Sequence, residues 1–192
     1  MNCGVAAASG EYVLLLNNDT EVITPEWIEM MVMYLQRDDV GVVGAKLYYE
    51  DDTIQHAGVF INLTGAAGHM SYQIPREATG YFGRAKVAQN VSAVTGACLM
   101  TKRNLYLKVG GFDEELLKVA YNDVDFCMKI RALDKLIVFT PFAELYHYES
   151  KSRGYDTTGE NFRRWSIERA NFIRRWVNEL QKGDPYYSDR LY

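Results

Sequence analysis

Residues 12–16 read Tyr-Val-Leu-Leu-Leu, an unbroken run of large apolar side chains that stops at Asn17-Asn18-Asp19-Thr20. So short a run without polar alternation fits a strand covered on both faces, as in the parallel sheet of an α/β protein. It also sets two amides and a carboxylate at the C-terminal end of a buried strand, where open α/β sheets bind ligands. One segment thus constrains both the architecture and the location of a site.

The rest of the chain predicts further alternating elements. Residues 2–9 are mostly small and end at Gly10, which reads as a helix with its stop signal. Thr24-Pro25-Glu26 predicts an N-cap, a proline at the first helical position and an acidic first turn. Trp27, Ile28, Met31, Val32 and Leu35 then keep helical spacing. Strands are expected over 41–49, 57–61, 97–101, 137–140 and 144–148. A short helix should stop at Gly110-Gly111, another should be capped by Asn122, and a long one should span 160–180. Residues 63–88 carry Gly65, Gly68, Pro75, Gly80 and Gly83 without periodicity and read as the longest loop. Neither repeats nor linkers divide the 192 residues, so a single domain is expected.

Several function classes are disfavoured. A net charge of −4 argues against nucleic acid as a partner. No apolar stretch approaches the roughly 18 residues of a membrane span, and no signal peptide is read at the start, so a cytoplasmic location is expected. Cys3, Cys98 and Cys127 are odd in number and widely spaced, which suggests neither a disulfide framework nor a zinc site.

Three constellations can carry chemistry. Asp19, with uncharged Asn17 and Asn18 beside it, can ligate a hard divalent cation such as Mg2+ or Mn2+, though the same triplet suits a simple Asx-turn. Asp123 and Asp125 lie in the first turn of the helix after Asn122, where the dipole favours carboxylates. Asp123 suits a general base, and Asp125 has Lys129 one turn away as an ion-pair partner. His147 follows an apolar strand and can complete a metal site, while Lys151 and Arg153 can pair with phosphate oxygens. His56 and His69 have the same ambiguity between ligand and structural side chain. Taken together, these groups would stabilise a leaving diphosphate and activate a nucleophile.

The segments GEYVLLLNNDTEV, TIQHAG, GYFGRA, QNVSAVTGAC, GGFDE, NDVDFCMKIR and AELYHYESKSRG, in this order, resemble the family 2 inverting glycosyltransferases of the GT-A fold. They are similar above all to bacterial members that build O-antigen and other cell-surface polysaccharides, rhamnosyltransferases among them. The resemblance covers residues 2–155 and implies a Rossmann-related mixed sheet flanked by helices. It implies Asp19 and His147 as metal ligands, Asp123 as catalytic base, and a donor-sugar pocket lined by Thr95, Gly96 and Ala97. Asn17, Asn18 and Asp125 would line the same site, and Lys151 and Arg153 would close over the diphosphate. Implied partners are a UDP- or dTDP-sugar donor and a saccharide or lipid-linked acceptor. Two positions depart from the pattern: Asn17-Asn18 replaces the earlier acid of a DXD motif, and Asn122 replaces a frequent glutamate. Nothing matches the family's usual opening strand, so a domain truncated at the N-terminus is expected, with weak nucleotide binding and little or no transferase activity. Residues 1–155 would be its C-terminal part and 156–192 its terminal helix and tail.

Phe162, Trp165, Phe172, Ile173, Trp176 and Leu180 share one helical face, and Arg163, Arg164, Arg169, Arg174 and Arg175 enrich the remainder in positive charge. Docking on the chain's own core is expected, and peripheral contact with an anionic membrane at its inner face is the alternative. An unpaired sheet edge would favour homo-oligomers. A non-catalytic assembly module is the rival to an enzyme.

Overall fold

The computed structural model describes residues 1–148 and 159–188. Strand β3 (Val40–Tyr48) is the axis of the main sheet, and all nine of its residues are buried. Val43, Ala45 and Leu47 face one apolar cluster while Val42 and Tyr48 face a second, as strand alternation requires. Strand β9 (Leu136–His147) runs parallel beside β3, and β8 (Cys98–Lys102) is antiparallel on its other side. Beyond them lie β1 (Tyr12–Leu16), antiparallel to β8, and β2 (Thr20–Val22), antiparallel to the end of β9. With β4 (Ile54–His56) on β3 and β7 (Gln89–Val91) on β9, the mixed sheet has seven strands. A hairpin of β5 (Val59–Asn62) and β6 (Ala66–His69) stands apart from it.

Helix α2 (Trp27–Leu35) covers one face of the sheet through Trp27, Met31 and Leu35. Burial of each of these side chains contributes roughly 1.5–3 kcal/mol. The other face packs against α1 (Asn2–Ala7), α3 (Arg103–Lys108), α4 (Asn122–Arg131) and α5 (Gly159–Gln181) through Val5, Leu105, Val124, Phe126, Phe172 and Leu180. Short α1 is held by side chains: Arg103 donates to the carbonyls of Val5 and Ala6 at 3.2 and 3.1 Å. Helix α5 docks its apolar stripe at Phe172 and Leu180, while Phe162 near its start is 49% exposed. Among the described residues no helix is long and apolar enough to cross a membrane.

A mixed sheet with flanking helices matches the expectation, but several local readings need correction. Strand β1 is not a doubly covered parallel strand. It ends the sheet, pairs antiparallel with β8, and leaves Leu16 38% exposed. An apolar run records burial but not pairing direction. Helix α2 begins at Trp27 with Glu26 at the cap position, because Thr24 is occupied by the sheet edge: its Oγ1 accepts the Glu144 N–H at 3.3 Å. At α4 the cap is Tyr121, held in the left-handed region at φ 63°, and Asn122 is the first helical residue.

The expected loop over 63–88 contains β6 and a short 3₁₀ stretch, Tyr81–Lys86. Buried Lys46 pins that stretch to the sheet by donating to the Ala85 carbonyl at 2.9 Å. The two strands expected over 137–140 and 144–148 are one, β9, with a register break: Gly44 opposes Phe139 but Lys46 opposes Glu144. Pro141, which has no N–H to donate, lies within the resulting bulge.

Candidate active site

The three-residue link between β1 and β2 forms because Thr20 Oγ1 donates to the Asn17 carbonyl at 2.9 Å, closing the turn. Two further backbone bonds tie the turn to its neighbours: the Asn17 N–H to the Ala97 carbonyl and the Tyr148 N–H to the Asp19 carbonyl, both 2.9 Å. The residues just before β8 and the end of β9 therefore meet at this turn.

Within it, Asp19 Oδ1 is buried, accepts no hydrogen bond, and lies 3.3 Å from His147 Nε2. The Asn17 amide nitrogen is 3.0 Å from the same Nε2. Asn18 is exposed at the tip of the turn. A carboxylate oxygen and an imidazole nitrogen this close, one without a donor, fit two protein ligands of a hard divalent cation that keeps water or phosphate oxygens elsewhere in its shell. Among the described residues there is no group of three or more acidic, histidine or cysteine side chains able to hold a metal.

Asp123 is half-buried at the start of α4. Its Oδ2 accepts the Gly96 N–H and its Oδ1 the Val124 N–H, both at 2.8 Å. Gly96 permits this approach: a Cβ there would meet the Asp123 Cβ at 3.3 Å and the Phe112 ring at 3.4 Å. Left-handed Tyr121 turns the chain into α4, and its ring stacks on Phe172 with centroids 5.2 Å apart. Through Gly96 and Ala97, Asp123 and the Asn17–Asp19 turn are joined in one hydrogen-bonded belt, with Thr95 half-buried beside it.

Asp125, expected at the substrate, is instead fully buried. It pairs with Lys129 at 2.8 Å and Arg175 at 2.9 Å, and accepts the Trp176 indole N–H at 2.9 Å. Two residues beyond Asp123 on a helix, it lies on a different face and is turned into the core, where it joins α4 to α5. Arg175 also holds Asp113 at 2.6 Å. Burial works to raise the Asp113 carboxyl, but bonds from the Leu116 N–H, Arg175 and the Glu115 N–H bring it down to about 2. Lys151 and Arg153 lie outside the described residues.

His56 is a core side chain, its Nδ1 at 3.0 Å from His69 Nδ1. Burial, with His69 and His147 nearby, holds its pKa well below the ordinary value. Gln55, its neighbour, was not marked by any spacing in the sequence. It is buried, its Oε1 is 2.7 Å from His147 Nδ1, and its Nε2 donates to the His147 carbonyl at 3.2 Å.

Residues 1–110 match the model of the family described as glycosyl transferase family 2. The chain is 50% identical over 190 residues to an uncharacterized protein of Sinorhizobium fredii, covering 99% of this chain and 21% of that protein. It is 38% identical over 191 residues to the O-antigen biosynthesis protein RfbC of Myxococcus xanthus, covering 99% of this chain and 14% of the relative. The chain thus spans about a fifth or less of these relatives. A 66-residue stretch, 34% of this chain and 21% of the relative, is 35% identical to the N-acetylglucosaminyl-diphospho-decaprenol L-rhamnosyltransferase of Mycobacterium tuberculosis.

In fold, the chain is similar to GalNAc-T7, solved with UDP, GalNAc and Mn2+, with a TM-score of 0.64 at 14% identity over 93% of this chain and 34% of that one. It is also similar to a mannosyltransferase from Pyrobaculum calidifontis, solved with GDP-Man and Mn2+. There the TM-score is 0.55 at 17% identity, over 94% of this chain and 42% of that one.

Proposed function

Because this chain belongs to the glycosyl transferase family 2, we propose that its site transfers a sugar, with inversion, from a nucleoside-diphosphate donor to a saccharide or lipid-linked acceptor in cell-surface polysaccharide synthesis. The observation that carries this reading is Asp19 Oδ1, buried without a hydrogen-bond donor and 3.3 Å from His147 Nε2. An acceptor oxygen buried without a donor is costly, and a cation would offset that cost. Asp19 and His147 would hold Mg2+ or Mn2+, which when bound neutralises charge on the diphosphate. Two proteins of similar fold were solved with a nucleotide or nucleotide sugar and Mn2+, which supports this assignment.

Asp123 would take the proton of the acceptor hydroxyl as that oxygen bonds the anomeric carbon. The bond from that carbon to the diphosphate breaks on the opposite face, and its electron pair leaves with the diphosphate. The Gly96 N–H keeps the Asp123 carboxylate aimed. Thr95, Gly96 and Ala97 would border the sugar, Asn17 and Asn18 the diphosphate side, and Lys151 and Arg153 would add positive charge to that side. Similarity to the Myxococcus xanthus O-antigen protein supports the polysaccharide context.

In a full-length enzyme carrying this site, Asp123→Asn is expected to lower transfer from a UDP- or dTDP-sugar with Mn2+ by about 10²- to 10⁴-fold while donor binding is kept. Asp19→Asn should instead remove Mn2+-dependent donor binding, read by calorimetry. Turnover retained in Asp123→Asn would overturn the base assignment.

A further inference from the structure

We propose that Gln55 is a positioning residue that locks His147 in the tautomer with its proton on Nδ1, so that the Nε2 lone pair faces Asp19. This rests on the reading of His147 as a metal ligand.

The location of Gln55 comes from a break in register. His56 opposes Leu47 and Ile54 opposes Tyr48, so one more residue lies on β4 than on β3 between these pairs, and that residue is Gln55. A bulge of this kind redirects a side chain away from regular alternation. Here the redirected side chain brings both ends of its amide to His147: Nε2 to the His147 carbonyl at 3.2 Å, Oε1 to the His147 ring at 2.7 Å.

The two contacts determine each other. A backbone carbonyl only accepts, so the Gln55 nitrogen must face it, which leaves Oε1 toward Nδ1. Oε1 only accepts, so Nδ1 must carry the proton, and in the neutral ring Nε2 then bears the lone pair. On the far side of the ring the Asn17 amide nitrogen, a donor, is 3.0 Å from Nε2, and the Asp19 carboxylate oxygen at 3.3 Å suits a lone pair there when a cation is shared between the two. The opposite tautomer would set lone pair against lone pair at Gln55 and N–H against N–H at Asn17. Side chains that fix a ligating imidazole through its other nitrogen govern metal affinity without touching the metal.

The test uses the full chain labelled with ¹⁵N. Long-range ¹H–¹⁵N spectra of the His147 imidazole should show the Nδ1-protonated tautomer in wild type and its loss in Gln55→Leu. The Mn2+ concentration that half-broadens those signals should rise about tenfold or more in Gln55→Leu. Gln55→Glu keeps an acceptor at Nδ1 and should restore the tautomer, whereas a merely structural role would leave both variants alike. If Gln55→Leu does not fold by circular dichroism, Gln55→Asn, too short to reach the ring, replaces it with the same expectation. An unchanged tautomer in the variant lacking the acceptor overturns the proposal whatever Mn2+ does. His147→Ala with undiminished Mn2+ binding would instead overturn the metal assignment beneath it.

Discussion

The Gly96 N–H donates to Asp123 Oδ2 at 2.8 Å, so backbone from the approach to β8 aims the carboxylate at the start of α4. A Cβ at Gly96 would come within 3.3 Å of the Asp123 Cβ and 3.4 Å of the Phe112 ring. Phe112 is packed against Tyr106 and Phe126, leaving Asp123 as the group that yields. Gly96→Ala should therefore lower turnover more than donor binding, with an overpacking cost of about 1–3 kcal/mol in urea unfolding. Unchanged kcat would show that this bond does not aim the base.

Asp125 accepts hydrogen bonds from Arg175 and Trp176 and forms an ion pair with Lys129. Asp125→Ala leaves two cations without their buried partner and should cost about 3–5 kcal/mol in denaturant unfolding. Arg37→Ala, which breaks the exposed Arg37–Asp39 pair, serves as the control and should leave stability unchanged within error. Loss of donor affinity in Asp125→Ala without loss of stability would return this residue to the substrate.

These two carboxylates show where the sequence was informative. Strand ends brought Asp19 and His147 into consideration, because apolar runs stop there, and a helix start brought in Asp123. Helical spacing paired Asp125 with Lys129 but could not show Arg175 and Trp176 arriving from fifty residues away. Such partners depend on the docking angle of α5, which no local pattern encodes. Strands β2, β4 and β7 escaped notice because three residues are too few for a period to register. With β4 went Gln55, whose orientation comes from a bulge and not from alternation. The opposite error affected β1, where five apolar residues suggested a strand covered on both faces in a parallel sheet, while only Val13 and Leu15 are buried and the pairing is antiparallel.

Lys46 is buried in β3, and desolvation, with help from Lys86, lowers its ammonium pKa to about 8 from the ordinary 10.5. Between these values the unfolded chain holds a proton that the folded chain has lost, so this group makes stability rise with pH. Below about 8 both states are charged and the burial penalty is full. Wild-type stability relative to Lys46→Met should therefore improve from pH 8 to 10.5 in urea titrations. A difference independent of pH would place the ammonium in water.

Asn2 anchors the first helix with its Nδ2 on the Phe112 carbonyl at 2.8 Å and its Oδ1 taking the Phe112 N–H at 3.0 Å and the Tyr106 hydroxyl at 2.6 Å. Asn2→Ala leaves the O–H of buried Tyr106 without its acceptor, although the hydroxyl oxygen still accepts the Phe112 N–H at 3.4 Å, and should cost about 1–3 kcal/mol. Adding Tyr106→Phe should recover part of that loss, because it removes the O–H left without an acceptor. Strict additivity in the double-mutant cycle would show that the two side chains are not coupled.

The register break in β9 has an evolutionary consequence. Between Phe139 and Glu144 the strand carries more residues than β3 opposite, so length there is absorbed by the bulge and not passed along the ladder. An insertion or deletion within 140–143 can change the bulge and leave Glu144, Leu145 and Tyr146 in phase with Lys46, Leu47 and Tyr48. One inserted after Glu144 would turn His147 to the opposite face of the sheet. Length variation among descendants of this chain should therefore collect around Pro141, and the last four residues of β9 should keep a fixed count.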